Sequence, residues 1–163
     1  MQQPAPTTGL LDPAEFDAVT FTVMDNNLGM ARGLAERIVI EALAFVVTCA
    51  RNPEAPIAPS RTIDEGWHAL VLHTALYARL CDRLGAFVHH YPERPDPTRQ
   101  GADIIARTTA LIEATTGHTP DPELWALPTD TRIPVAADCG HSPQCGPIQP
   151  IPKPPSGVLA AAG

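Results

Sequence analysis

Apolar residues recur along this chain at three- and four-residue steps, and prolines mark where those stretches stop. No proline lies between Ala14 and Asn52, between Ser60 and Tyr91, or between Thr98 and Thr119. An interior proline removes a helical hydrogen bond and clashes with the preceding turn, so long helices must fit inside these windows. In the first window Met30, Leu34, Ile38, Ala42, Phe45, Val46 and Cys49 form one helical face that ends at Pro53. In the second, Ile63, Trp67, Leu70, Val71, Thr74, Tyr77, Cys81 and Leu84 form a longer stripe. It predicts one helix from near Thr62, with Glu65 completing a capping box and Gly85 as its stop. In the third, Ile104, Ile105, Thr108, Leu111 and Ile112 predict a helix from Asp96-Pro97 to about Thr116, stopped by Gly117.

An earlier helix is predicted at Asp12-Pro13-Ala14-Glu15, which joins an N-cap aspartate, a proline at the first position and a glutamate at the third. Phe16, Val19 and Val23 give it an apolar face, and their β-branched company leaves a strand open over residues 19–23. Asp25-Asn26-Asn27 reads as a turn, and residues 53–59 as a proline-stiffened loop. Asp121 to Trp125 predicts a short turn that folds Leu124 and Trp125 onto the core. The expected fold is all-α: a small bundle of about four main helices with a Pro-rich, largely irregular C-terminal tail. The expected boundaries are a flexible N-terminus over residues 1–9, a helical domain over 10–127 and a Pro/Cys-containing tail over 128–163.

Composition narrows the function classes. With 44% hydrophobic residues in 163, the chain can bury a core. A formal net charge of −7 argues against nucleic acid as a partner, because phosphate contacts need clustered lysine and arginine. No apolar run approaches the roughly 20 residues that span a bilayer, so no membrane is expected. The N-terminal Met1-Gln-Gln-Pro-Ala-Pro has no basic or apolar export signal, and a cytoplasmic location is expected.

Histidines carry the candidate chemistry. His68, His73, His89 and His90 are close in sequence, and Asp64 precedes His68 by one helical turn. Asp64 and His68 therefore project from one helix face, where a carboxylate and an imidazole can share a metal. His89 or His90, returning after Gly85, supplies a third ligand, although adjacent residues do not easily point at one ion. His73 lies about 140° around the helix from His68, which makes it a poor co-ligand. The predicted metal set is Asp64, His68, His89 and His90. Two imidazoles and a carboxylate with open positions suit a divalent metal, zinc or iron. The competing structural reading has Asp64 hydrogen-bond His68 within the first turn, with His89 and His90 capping the helix end.

Other residues are less telling. Cys49 and Cys81 fall on apolar faces and read as small buried hydrophobes. Cys139, His141 and Cys145 in the tail offer three soft ligands, one short of a closed zinc site. Ser60, Ser142 and Ser156 lie in no nucleophile-elbow context, and no phosphate-binding glycine loop is present. Trp67 and Trp125 read as core anchors.

One series of residues carries a family likeness. Asp64-Glu65-Gly66-Trp67-His68 is followed by Leu72-x-Thr74-x-x-Tyr77-x-x-x-Cys81, by Gly85, and by His89-His90-Tyr91-Pro92. The series resembles the glycine-rich-domain-containing-protein-like family over about residues 12–95, with the Glu36 to Phe45 helix and the Pro59-Ser60 entry also fitting. The resemblance implies a short bacterial member without the glycine-rich region, since the 11 glycines are scattered. Plant members carry such a domain beside glycine-rich and RNA-binding-like regions. The family pattern keeps Asp64, His68 and the later histidines together, which agrees with a metal set and with a polar network.

Three functions compete at this level. The first is a small helical protein holding a divalent metal through its Asp/His cluster, where metal activates water or binds oxygen. The second is a non-catalytic interaction module that engages a protein partner through its acidic surface or Pro/Cys tail. The third, a metal-free Asp64–His68 acid/base dyad, lacks an identifiable nucleophile.

Overall fold

The computed structural model describes residues 9–90 and 102–126. The predictions for residues 1–8, for the Asp96-Pro97 helix start, for residue 127 and for the tail over 128–163 lie outside them. Five helices follow in order: α1 (Pro13–Asn26), α2 (Arg32–Arg51), α3 (Arg61–Leu72), α4 (Thr74–Leu84) and α5 (Ala102–Thr116). No strand occurs among the described residues, so the chain is all-α there. None of these helices is long and apolar enough to cross a membrane.

Helix α1 starts as its sequence predicts. Asp12 accepts the Glu15 amide at 2.8 Å, and Glu15 returns a carboxylate to the Asp12 amide at 3.2 Å. The strand alternative over residues 19–23 is not realised. Thr20 and Thr22 instead donate their hydroxyls to the carbonyls of Phe16 and Ala18, one helical turn back. Helix α2 is central. From Ile38 to Cys49 nearly every residue is buried, because α1, α3, α4 and α5 all pack against it.

The single helix expected from Thr62 to Leu84 is two helices. The break falls at His73, which closes α3 and opens α4 with φ −83° and ψ 64°. Phase explains it. On one straight helix Leu76 would stand about 180° from Trp67, from the 3.6-residue period. Yet Trp67, Leu76 and Leu80 are all buried. A kink lets both faces reach the same core. His73 Nε2 is paired with the Thr22 hydroxyl at 2.8 Å, which ties the break to α1.

The predicted Thr62–Glu65 capping box is also replaced. Ser60 is the N-cap, and its hydroxyl oxygen accepts the Ile63 amide at 3.2 Å. Glu65 is buried and accepts Asn27 Nδ2 at 3.0 Å, so its carboxylate serves the α1–α3 contact instead of the helix start.

Helix α3 lies unusually close to α2 at Gly66. A β-carbon there would come within 2.8 Å of the Ala42 β-carbon and 2.9 Å of the Ile38 side chain and carbonyl. Hydrogen occupies the only space available, and this approach places the first two turns of α3 firmly on the core.

The segment after α5 folds back as expected. Gly117, with φ 71°, ends the helix, and Leu124 and Trp125 are buried. Their anchor is Glu41 of α2. Its carboxylate accepts Trp125 Nε1 at 2.7 Å and the Asp121 amide at 3.0 Å, and it contacts His118 Nε2 at 2.6 Å. Arg37, one turn earlier, holds Asp121 at 2.9 Å and Glu123 at 2.7 Å.

Candidate metal centre

Asp64 sits in the first turn of α3 with a fully buried side chain. His68 follows one turn later on the same face and is partly open to solvent. The third member arrives by a reversal. Gly85, with φ 79°, ends α4 in the left-handed conformation that glycine adopts without strain. The chain then runs back, buries Val88 and delivers His90 to α3. His90 Nε2 stands 3.1 Å from Asp64 Oδ1. Its ring meets Trp67 edge-on at 4.4 Å and lies 4.2 Å from the ring of His68.

The two carboxylate oxygens are treated differently. Oδ1 faces His90, whereas Oδ2 is buried without a hydrogen-bond partner. His68 Nδ1 approaches Oδ2 to 3.3 Å, but it also contacts the Asp64 carbonyl at 3.1 Å, so the Oδ2 contact is an ion-pair approach and not a hydrogen bond. A buried carboxylate oxygen without a hydrogen bond carries a desolvation penalty of about 1–3 kcal/mol, which the His68 contact offsets in part.

Burial alone would push the Asp64 carboxyl up. The contacts with His68 and His90 outweigh it and hold the carboxyl below its ordinary value. The same carboxylate raises the His68 imidazole against the opposing effect of burial. Asp64 is therefore an anion placed between two imidazoles.

One ligand atom each from Asp64, His68 and His90 lies within 4.8 Å of the other two, a spacing that could hold a metal ion. With bonds of about 2.1 Å, ligand atoms on one ion are at most about 4.2 Å apart, close to this spacing. Among the described residues no other group of three His, Cys, Asp or Glu side chains has this spacing.

The structure thus brings together three of the four predicted ligands. His89 is outside the group, and its ring packs on Phe87 at 4.7 Å. His73 is also outside, turned toward Thr22. Cys49 and Cys81 are buried, and burial pushes the Cys81 thiol up. Cys139, His141 and Cys145 lie outside the described residues.

Sequence reasoning missed Tyr77, which it placed in the apolar stripe without a role. The Tyr77 hydroxyl accepts Trp67 Nε1–H at 2.9 Å and donates to the Val88 carbonyl at 2.6 Å. A tyrosine at an otherwise apolar stripe position was the available signal, because a buried hydroxyl needs partners.

No protein-family model matches the chain, and no curated protein and no solved structure matches it.

Proposed function

We propose that this protein binds one divalent metal ion, zinc or ferrous iron, through Asp64, His68 and His90. The observation that carries the proposal is the buried Asp64 carboxylate between two imidazoles, whose Oδ2 has no hydrogen bond and is only approached by His68 Nδ1 at 3.3 Å. A cation would give Oδ2 a closer partner than this contact and offset the desolvation of the carboxylate. One carboxylate and two imidazoles form a donor set suited to zinc and to non-haem iron. The likeness of this motif to the glycine-rich-domain-containing-protein-like family agrees with a shared use of the same residues. His68, at the edge of the site, gives solvent-borne ions a way in. A cytoplasmic setting suits the buried cysteines Cys49 and Cys81, which stay reduced there.

A second reading is supported by the His90–Asp64 contact at 3.1 Å, in which the three side chains form a structural polar network. Elemental analysis separates the two. Wild type, His68→Ala and Asp64→Asn are reconstituted with zinc or ferrous iron and compared at matched circular dichroism. About one equivalent of metal in wild type alone is the expected result. A wild type that stays metal-free, or a His68→Ala protein that keeps its metal, returns the cluster to the structural reading.

A further inference from the structure

We propose that Tyr77 is a positioning residue for this site: its buried hydroxyl fixes the returning 86–90 segment by the Val88 carbonyl and thereby sets His90 against Asp64. The functional consequence rests on the metal reading above, whereas the geometry does not.

His90 is carried by neither helix nor strand. A ligand on an irregular segment is only as well placed as the contacts that anchor that segment. Tyr77 supplies several of them from the opposite side. Its hydroxyl donates to the carbonyl two residues before His90, at 2.6 Å. Its ring meets the Phe87 ring at right angles, with centroids 5.6 Å apart. The same hydroxyl accepts the indole N–H of Trp67, the residue beside His68 whose ring edge abuts His90. One oxygen therefore connects the helix bearing Asp64 and His68 to the segment bearing His90.

The chemistry of the hydroxyl suits this task. Burial pushes the Tyr77 phenol far above its ordinary value, which favours the protonated, donating form. Tyr77→Phe keeps the ring contact with Phe87 and removes only the hydroxyl. It leaves Trp67 Nε1 and the Val88 carbonyl without this partner and loosens the position of His90.

The test has a metal-free and a metal-loaded arm. In the metal-free protein, imidazole nitrogen NMR of Tyr77→Phe should show the His90 resonances displaced from their wild-type positions, with those of His118 unchanged. In the loaded arm, zinc affinity should fall about 10–100-fold, the usual effect of removing an outer partner that orients a ligand. Leu80→Val, a core change in the same helix, serves as the control for lost stability and should leave zinc affinity within about 2-fold, since it removes no partner of a ligand. His90 resonances that do not move in Tyr77→Phe overturn the assignment, and so does an equal loss of zinc affinity in Leu80→Val. If wild type binds neither zinc nor iron, the metal reading falls, and the His90 resonances alone decide the role of Tyr77. Should Tyr77→Phe not fold, 3-fluorotyrosine placed at position 77 alone, with Tyr91 beside His90 left as it is, retains ring and hydroxyl and changes the strength of the donated bond. The His90 resonances must then shift, and their standing still overturns the proposal.

Discussion

Glu41 accepts the indole N–H of Trp125 at 2.7 Å across 84 positions of sequence. The carboxylate belongs to the central helix and is 3% exposed. It is tolerated in the core because donors from residues 118–125 surround it.

Glu41→Ala should therefore destabilise the protein by about 3 kcal/mol or more, since it strands the Trp125 indole N–H and the Asp121 amide in the interior. Urea unfolding followed by tryptophan fluorescence measures this. A loss below about 0.5 kcal/mol, the range of ordinary surface changes, would show that Glu41 is not the anchor of this segment.

Two glycine substitutions should have opposite signs. Gly66→Ala drives a methyl group into Ala42 and Ile38 at under 3 Å, and overpacking of this kind costs about 1–3 kcal/mol. Gly33→Ala, in the first turn of α2, meets nothing within 4 Å and should gain about 0.5 kcal/mol from helix propensity. Equal effects of the two on thermal unfolding would contradict the close α2–α3 approach.

Acid should weaken the hold on residues 118–125. Burial raises the Asp121 carboxyl, but Arg37 and the amides of Glu123 and Leu124 outweigh it and hold it below its ordinary value. A carboxyl depressed in the folded state contributes stability above its unfolded value, and that contribution is lost as pH falls through the folded value. The stability gap between wild type and Arg37→Ala should thus be full near neutral pH and shrink from about pH 4 downward. A gap that widens with acid would reverse the sign and refute the pairing.

Metal should stabilise the fold by mass action. Free zinc at 100 times its dissociation constant adds about 2.7 kcal/mol to wild type. For a domain of this size the thermal midpoint should rise by several degrees, about 4–8 °C per kcal/mol for the smallest domains and less for larger ones. Asp64→Asn should show no such rise at the same zinc concentration. A common rise in both proteins would locate the zinc elsewhere.

Local chemistry made part of the molecule readable from sequence. The Asp12–Glu15 cap and the α2 stripe depend on neighbours within a turn or two, and both are present as expected. The Asp64–His68 pair is equally local. The choice between His89 and His90 is not, because it turns on Tyr77 reaching Val88 and Trp67 reaching His90. The break at His73 was concealed by Thr74 and Cys81, which stay in phase with Trp67, while Leu76 and Leu80 do not. Glu41 and Glu65 carry no sequence mark of burial, since their partners Trp125 and Asn27 come from distant parts of the chain.

Ser60 has a bearing on the order of assembly. Its hydroxyl caps α3 and also donates to the Leu124 carbonyl at 2.6 Å. During synthesis, residues 60 to 68 emerge well before residue 124, so the hydroxyl proton of Ser60 meets its final partner late. The helix that carries Asp64 and His68 can thus form early, yet it is sealed only when the far end of the described chain arrives. A ribosome-bound chain ending before Leu124 should hold Asp64 on a frayed first turn, and its pairing with His68 should become rigid in one late step.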